Sequence, residues 1–377
     1  MNKILGVFFS AALCVACTPA PEKQTGTGVT DMLVVDAARS DLAQANISRQ
    51  WMVRVLYPAC GEGTPAAYIA EPLLDFMKAD GYYGLEENVI EDWRQRNLGL
   101  SNAKPCAGNF PLATLSIGLG VTGAHYALLA ESLVDKGYVV AIINHPYGAP
   151  ALLPDGTVQS AQAGAAYARV DEDPAVLSAW FADWARDISF SIDTLTSGDG
   201  VRGLKIDPDR IAASGHSIGG AAALDACAAD ARLRACVNMD GGPFESRTME
   251  TGTAENSYIL LSNPLYTDDE LIAKGRDPER WAAMGDQIAG SWLDLGDLSG
   301  HTPIVVRVAG TGHMSFSDAP LVMPTLITSF GGTPMQPDRA LEVISGTLIA
   351  IMESHIGEDS NAFDAFVDAT PELERAP

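Results

Sequence analysis

The chain alternates between short apolar runs and longer segments whose apolar residues recur at helical spacing. The apolar runs are bounded by glycine, proline and polar turn residues, a pattern typical of buried strands. The predicted strands are residues 51–58, 111–117, 138–144, 209–214, 233–239, 258–262 and 302–309. The predicted helices are residues 86–96, 124–136, 174–195, 218–229 and 337–355. Strands that alternate with helices predict an α/β fold with a mostly parallel sheet, covered by helices on both faces.

The N-terminus has the pattern of an export signal rather than of a folded element. Lys3 precedes an apolar stretch over residues 4–16, which is too short to span a bilayer. Small residues then precede Cys17, and a polar linker with prolines follows, an order that resembles a bacterial lipoprotein signal. We predict a signal peptide over residues 1–16, lipidation of Cys17 and a linker over residues 17–30. The alternative is an ordinary secretory signal, and both interpretations export the protein, either to the periplasm or outer membrane as a lipoprotein or as a secreted chain.

The composition excludes two broad classes of protein. With 47% apolar and 19% charged residues, the chain can bury a large core, which rules out wholesale disorder. Its 48 acidic and 24 basic residues give a formal net charge of -24, which repels phosphate backbones. The sequence has no basic tract interleaved with aromatic residues, so nucleic acid is not an expected partner.

Besides Cys14 and Cys17, the chain has four cysteines: Cys60, Cys106, Cys227 and Cys236. Cys227 lies near the end of the predicted helix 218–229, and Cys236 lies in the strand that follows it. A helix-to-strand return of this length can bring two Cα atoms within disulfide range, so we predict a Cys227–Cys236 bond. Cys60 and Cys106 then remain as a second pair by elimination alone, and the sequence does not decide whether they are bonded. These four form no C-x-x-C motif and the chain has no H-E-x-x-H motif, so no metal is expected.

Residues 215–219, Gly-His-Ser-Ile-Gly, match the motif G-x-S-x-G between a predicted strand and a predicted helix. The turn in this motif is tight, so the residues that flank the serine must be small, and Gly220 extends the set. Such a turn lifts the Ser217 hydroxyl off the sheet, where the N–H of Ile218 at the helix N-terminus can stabilise an oxyanion. The motif therefore predicts Ser217 as a nucleophile. The alternative is a glycine-lined turn that only packs the helix on the strand.

A serine nucleophile needs a base, and the base needs an acid that orients it. Among the six histidines, His313 lies just after a predicted strand, and functional groups gather at the carboxyl ends of parallel strands. His313 is the predicted base. Asp240 also ends a strand and precedes two glycines that permit a sharp turn, whereas Asp268 and Asp269 lie beyond the next strand. On this pattern alone all three carboxylates are candidates for the acid.

Residues 118–123 satisfy G-x-G-x-x-G between a strand and a helix, a pattern also typical of dinucleotide-binding loops. A dinucleotide site would place a carboxylate at the end of the next strand, but that strand ends at Asn144. The competing interpretation is an oxyanion loop, in which the N–H of Leu119 joins that of Ile218 around the developing charge. The sequence favours the oxyanion loop, so no organic cofactor is expected.

Together these segments resemble the α/β-hydrolases of the platelet-activating factor acetylhydrolase family, plasma type, and its bacterial relatives. The matching segments are residues 55–59, 116–120, 215–220, 312–318 and 339–342. In that family the acid follows the strand directly after the nucleophile helix, so the resemblance favours Asp240 over Asp268 and Asp269. One position departs from the family, since Ile117 stands where a histidine is usual.

The resemblance implies an α/β-hydrolase catalytic domain over residues 31–377, with insertions over the active site. It implies a serine carboxylic-ester hydrolase with the triad Ser217, Asp240 and His313, acting on short-chain acyl esters such as 1-alkyl-2-acetylglycerophosphocholine. The expected partners are a small-molecule or lipid ester substrate, and the membrane through the N-terminal lipid anchor. Two alternatives stay open: a lipase or polyesterase that acts on longer or polymeric esters, and a non-catalytic surface lipoprotein that retains the fold.

Overall fold

A central sheet of eleven strands organises the computed structural model, which describes residues 23–376 apart from 42, 43, 45, 85, 161–173, 199, 243–245, 264–265 and 325–334. The strands are β1 Gly26–Ser40, β2 Ser48–Ala59, β3 Thr64–Ala67, β4 Asn97–Ser101, β5 Phe110–Ser116, β6 Val139–Asn144, β7 Ala151–Leu152, β8 Val158–Gln159, β9 Ile206–His216, β10 Leu233–Met239, β11 Ser257–Asn263, β12 Ile304–Ala309 and β13 Leu373–Arg375. The helices are α1 Glu71–Asp80, α2 Glu87–Gln95, α3 Ala127–Val134, α4 Pro174–Thr196, α5 Ile218–Ala229, α6 Thr248–Thr251, α7 Asp268–Ala273, α8 Pro278–Leu293, α9 Gly296–Ser299, α10 Ala319–Val322, α11 Pro337–Ile356 and α12 Ala362–Ala369.

The strand order explains why the predicted functional residues meet at one edge of the sheet. Across the sheet the order is β13-β12-β11-β10-β9-β5-β6-β2-β1-β4-β3, and β7 pairs separately with β8. The pairs from β12 through β6 are all parallel, while β2 runs antiparallel to both β6 and β1. The predicted mostly parallel sheet is therefore confirmed. Because the central strands are parallel, the carboxyl ends of β5, β9, β10 and β12 lie at the same edge.

Two helix pairs pack on these central strands. Helix α4 contacts α5, and both contact β9, while α11 contacts α3 as well as β9 and β10. The central strand β6 is buried along its whole length, as its unbroken apolar run requires. The observed bounds of α5 and β10 are those predicted from the sequence, because the turn at residues 215–217 marks the start of the helix and residues 230–232 separate the two elements.

The predicted linker over residues 17–30 is wrong at its carboxyl-terminal end. Strand β1 begins at Gly26, and it pairs with β2 from Gly26 opposite Ala59 to Ser40 opposite Ser48. The glycines that suggested a linker have a packing role, because a Cβ atom at Gly28 would lie 2.2 Å from the ring of Tyr57. The folded domain therefore starts within the segment assigned to the linker.

Two disulfide bonds join neighbouring elements. Cys227 at the end of α5 is bonded to Cys236 in β10, with the Cα atoms 6.2 Å apart. Cys60, just after β2, is bonded to Cys106, before β5, with the Cα atoms 4.7 Å apart. The pair that the sequence left undecided is therefore bonded as well.

The predicted signal peptide and the predicted lipidation site at Cys17 lie outside the described residues. Among the residues that are described, no helix is both long and apolar enough to cross a bilayer.

Candidate active site

Ser217 occupies a strained turn between β9 and α5. Its backbone has φ 56° and ψ -128°, a conformation that costs a non-glycine residue about 1–3 kcal/mol and persists only where its surroundings impose it. The surroundings here include a hydrogen bond from the Ser217 N–H to the carbonyl of Met239 in β10, at 2.9 Å. Ser217 is partly exposed, whereas its neighbours in β9 and α5 are buried. The turn thus presents a serine at the carboxyl edge of the sheet.

The glycines of the motif are required because the turn packs directly on neighbouring backbone. A Cβ atom at Gly219 would lie 2.3 Å from the carbonyl oxygen of Ile117, and one at Gly220 would lie 2.2 Å from Asn238 Oδ1. A Cβ atom at Gly215 would lie 2.2 Å from the carbonyl oxygen of Gly219. These contacts fix the nucleophile turn against the end of β5.

His313 and Asp240 are hydrogen-bonded to each other at the same edge. His313 Nδ1 lies 2.7 Å from Asp240 Oδ2, and Asp240 Oδ1 accepts the backbone N–H of Ser262 at 2.6 Å. The side chain of His313 is 39% exposed and that of Asp240 is 12% exposed. Since a carboxylate can only accept, His313 donates its Nδ1–H to Asp240.

The competing acidic residues lie elsewhere. Asp268 and Asp269 begin α7, where both are exposed in its first turn. Of the three candidate carboxylates, Asp240 is the one that is hydrogen-bonded to His313.

The turn that carries Ser217 also contacts the His313 loop. The side chain of His216, next to Ser217, lies with its Nε2 atom 2.9 Å from the carbonyl oxygen of His313, and the two imidazole centroids are 4.6 Å apart. Within the described residues, no hydrogen bond joins the Ser217 hydroxyl to His313.

The loop 118–123 offers one free backbone donor. The N–H of Gly118 donates to the Tyr126 hydroxyl at 2.8 Å, that of Gly120 to the carbonyl of Gly148 at 2.6 Å, and that of Gly123 to Asn144 Oδ1 at 3.1 Å. The N–H groups of residues 121 and 122 are likewise bonded within the protein. Only the N–H of Leu119 has no acceptor among the residues that the structure describes.

This pattern distinguishes the two interpretations of the glycine motif. A dinucleotide loop offers several backbone N–H groups to a pyrophosphate, but here all except that of Leu119 are bonded within the protein. The strand β6 also ends without a carboxylate, since Asn144 is already bonded to Gly123. A Cβ atom at Gly118 would lie 3.4 Å from the Cβ of Ser217, so the loop lies directly beside the nucleophile turn. The N–H of Ile218 similarly has no acceptor among the described residues, and both predicted oxyanion donors are thus available.

A second Ser–His–Asp arrangement, which the sequence analysis missed, lies under the loop. Ser116 Oγ is 2.7 Å from His145 Nε2, and His145 Nδ1 is 2.9 Å from Asp187 Oδ2. All three residues are 0% exposed, so no substrate can reach them. Ser116 and His145 end neighbouring strands, a signal that was present in the sequence, but Asp187 lies on α4 with no local pattern to mark it. Exposure therefore separates the accessible group around Ser217 from this buried one.

No group of three or more histidine, cysteine or acidic residues in the described part of the chain is arranged to hold a metal ion.

Comparisons with known proteins agree with this architecture. A family model described as platelet-activating factor acetylhydrolase, isoform II, matches residues 200–372, which include Ser217, Asp240 and His313. A curated protein of Arthroderma benhamiae, named "Probable 1-alkyl-2-acetylglycerophosphocholine esterase", is 27% identical over 245 residues, which are 64% of this chain and 56% of that protein. The chain therefore spans little more than half the length of this curated relative.

The solved structures give a match over nearly the whole chain. The structure of a ferulic acid esterase from Streptomyces cinnamoneus superposes with a TM-score of 0.74 at 26% identity, covering 95% of this chain and 98% of the other. The sheet order, the nucleophile turn and these matches lead to the same assignment. The chain has the α/β-hydrolase fold, and its residues 200–372 are similar to the platelet-activating factor acetylhydrolase, isoform II, family.

Proposed function

We propose that the protein is an exported serine hydrolase of carboxylic esters. The observation that carries this proposal is the convergence of four groups at one edge of the sheet: the partly exposed Ser217, the His313–Asp240 pair, and the unbonded N–H groups of Leu119 and Ile218. A nucleophile, an oriented base and two oxyanion donors are the parts that acyl transfer requires. A binding scaffold would need no such set.

The reaction follows from these positions. Ser217 Oγ attacks the ester carbonyl carbon while its proton moves to His313 Nε2, and Asp240 stabilises the imidazolium that forms. The carbonyl oxygen becomes an oxyanion that accepts the N–H groups of Leu119 and Ile218. The alcohol then leaves with the proton from His313, and the acyl group stays on Ser217. Water, deprotonated by His313, hydrolyses the acyl-enzyme in the same way.

The two similar esterases suggest two acyl classes. The curated relative is named for an acetyl ester of a glycerophosphocholine, whereas the solved structure is that of a ferulic acid esterase, named for an aromatic acid. We favour short-chain acyl esters, because the segment that contains Ser217, Asp240 and His313 matches the acetylhydrolase model. A panel of p-nitrophenyl esters of rising acyl length, with a feruloyl ester included, tests this choice. Fastest turnover of the acetyl ester supports it, and a preference for long-chain or feruloyl esters contradicts it.

Export would place the chain where its two disulfides are stable. Lipidation of Cys17 would then anchor it to a membrane through the segment before β1. Metabolic labelling with a palmitate analogue, in cells that express the full chain and a Cys17→Ala variant, tests the anchor. Labelling that depends on Cys17 supports it, while a secreted and unlabelled chain would indicate an ordinary signal peptide.

The two Ser–His–Asp arrangements provide a sharp test of the nucleophile. A fluorophosphonate probe should label the wild-type protein and a Ser116→Ala variant, but not a Ser217→Ala variant. Ser217→Ala should also lose about 10⁶ in kcat, the usual cost of removing a triad serine. Undiminished labelling of a folded Ser217→Ala variant would refute the proposal.

A further inference from the structure

Three hydrogen bonds connect the parts of the site that lie far apart in the chain. The N–H of Gly118 lies 2.8 Å from the Tyr126 hydroxyl, that hydroxyl lies 2.9 Å from His216 Nδ1, and His216 Nε2 lies 2.9 Å from the carbonyl oxygen of His313. We propose that Tyr126 and His216 are positioning residues, which together hold the oxyanion loop, the nucleophile turn and the base loop in register. This inference rests on the proposed esterase function.

The direction of each bond follows from its end points. The His313 carbonyl can only accept, so His216 must carry its proton on Nε2. Burial, followed by the nearby His313, lowers the pKa of His216 well below its ordinary value, so the ring is neutral and Nδ1 is an acceptor. The Tyr126 hydroxyl therefore donates to Nδ1, and its oxygen accepts the N–H of Gly118. We name this chain of three bonds the Tyr126–His216 relay.

Each end of the relay is next to a reacting group. Gly118 precedes Leu119, whose N–H has no acceptor among the described residues, and His216 precedes Ser217. The third contact is the backbone of His313 itself. Movement at any one of these points would change the distances among nucleophile, base and oxyanion donor.

The side chains of Tyr126 and His216 are tightly packed and have little space to take other positions. Tyr126 and His216 are both 0% exposed, and a Cβ atom at Gly118 would lie 2.9 Å from His216 Nδ1 and 3.1 Å from the Tyr126 hydroxyl. The ring of His216 also lies against that of Phe316, with centroids 6.3 Å apart, on the side of the His313 loop. The loop at Gly118 therefore packs directly on the two side chains, which serve as its support.

Neither side chain is accessible to substrate, so the relay acts through the groups that it positions. A shift of the Leu119 N–H weakens a contact that is strongest in the transition state, whereas substrate binding depends mainly on the pocket walls. Loss of the relay should thus lower kcat and leave KM largely unchanged. If Tyr126 and His216 had a purely structural role, their loss would lower the stability of the protein without lowering kcat at an unchanged KM.

The test compares two deletions of a tyrosine hydroxyl. Tyr126→Phe removes the centre of the relay, whereas Tyr258→Phe removes a similar contact to His355 Nε2, at 2.7 Å, outside the site. We expect Tyr126→Phe to lower kcat by about 10- to 100-fold with little change in KM, as small displacements of catalytic groups do. Tyr258→Phe should leave both constants within about twofold, although both variants lose a hydrogen bond of similar kind.

Variants of His216 provide a second measurement. His216→Leu removes both contacts, whereas His216→Gln retains one acceptor and one donor and should recover part of the lost kcat. In the double variant of Tyr126→Phe with His216→Leu, the loss should be no larger than that of the more damaging single variant, because both interrupt one chain of bonds. Nitrogen chemical shifts of His216 in the wild type should show the neutral ring protonated on Nε2 at neutral pH.

These outcomes separate the relay from the proposed function. If Ser217 is labelled by the fluorophosphonate but folded Tyr126→Phe retains wild-type kcat, or if the losses of the two single variants multiply, the relay is wrong and the esterase stands. If Ser217 is not labelled, the proposed function fails first. Protonation of His216 on Nδ1 would also overturn the relay, because the bond directions would no longer hold.

Discussion

The guanidinium of Arg49 forms a two-bond ion pair with the carboxylate of Asp187, with both nitrogen–oxygen distances at 2.7 Å. Arg49 is 2% exposed and Asp187 is 0% exposed, so the pair is sealed from solvent. Burial raises the pKa of Asp187, but the Arg49 charge and the hydrogen bond from His145 outweigh this and lower the pKa to about 2. The ion pair thus supports the His145–Ser116 contact at the end of β5, just before the glycine loop 118–123.

Removing the Arg49 charge should destabilise the protein strongly. Arg49→Met leaves the buried Asp187 with Arg39, whose guanidinium lies 2.8 Å from Asp187 Oδ1, as its remaining cationic partner, and the change should cost up to about 3–5 kcal/mol. Urea unfolding at neutral pH measures the difference. Arg94→Met is the matched control, because Arg94 is 28% exposed and pairs with the exposed Glu71, so its loss should destabilise the protein far less than Arg49→Met does. Equal losses in the two variants would contradict the prediction.

Asp240→Asn should reduce kcat by about 10⁴ with the fold intact, because an amide at this position favours the wrong tautomer of His313. Steady-state kinetics with p-nitrophenyl acetate measures the effect. Asp268→Asn and Asp269→Asn change exposed carboxylates in the first turn of α7 and should each cost less than about tenfold. If one of these two were indispensable and Asp240 tolerant of change, the assigned acid would be wrong.

Gly219→Ala should abolish activity or folding, since the added methyl group would lie 2.3 Å from the backbone oxygen of Ile117. Neither backbone segment can move without displacing the nucleophile turn or the end of β5. Gly290→Ala in α8 is the control, because its Cβ atom meets nothing within 4 Å, and alanine is favoured over glycine in a helix by about 1 kcal/mol. The melting temperatures of both variants measure folding, and their fluorophosphonate labelling measures activity. A fully active Gly219→Ala protein would refute the packing argument.

The contribution of His125 to the stability of the protein should be lost as the pH decreases below about 6.5. Burial lowers the pKa of His125 from 6.5 to about 3, and its Nε2 atom has no hydrogen-bond partner in the described structure. The unfolded chain then binds a proton between pH 6.5 and pH 3 that the folded chain does not. Full stability is present above pH 6.5 and decreases by about 1.4 kcal/mol per pH unit through that range for this one proton.

Replacing His125 by phenylalanine tests this linkage. The ring would still pack on Trp93, whose centroid is 4.7 Å from that of His125. Unfolding free energies from pH 4 to pH 7 should show a shallower dependence for His125→Phe than for the wild type. Identical slopes would mean that His125 does not contribute to the pH dependence of the unfolding free energy.

Much of the site could be predicted because its residues stand beside sequence features of short range. Ser217 is marked by its glycines, and His313 and Asp240 each follow an apolar strand. A parallel sheet brings the ends of such strands together, so neighbours in space could be inferred without knowing the loops. The geometry of the proposed triad depends on the positive φ of Ser217 and on the contact between Asp240 and Ser262, which no local pattern reveals.

The parts that could not be predicted depend on contacts between distant segments. The first residues of β1, 26–30, are mostly polar and contain two glycines, so they have the pattern of a linker, and only their pairing with β2 makes them part of a strand. Asp187 lies on a helix whose apolar face hides a carboxylate, and its role depends on Arg49 from β2. Burial of a charge is set by what covers it, and the covering residues are far away in the chain.

The two disulfides lie toward the edge of the sheet opposite the proposed chemistry. Cys227 is about 15 Å along α5 from Ser217, at 1.5 Å per residue, and Cys60 and Cys106 lie where β2 ends and before β5 begins. Covalent links and reacting groups are therefore at opposite ends of the same strands. Reducing agents should consequently shorten the lifetime of the folded chain while each molecule that is still folded turns over at its normal rate. A redox change in the surroundings would thus alter the lifetime of the folded enzyme and not its turnover rate.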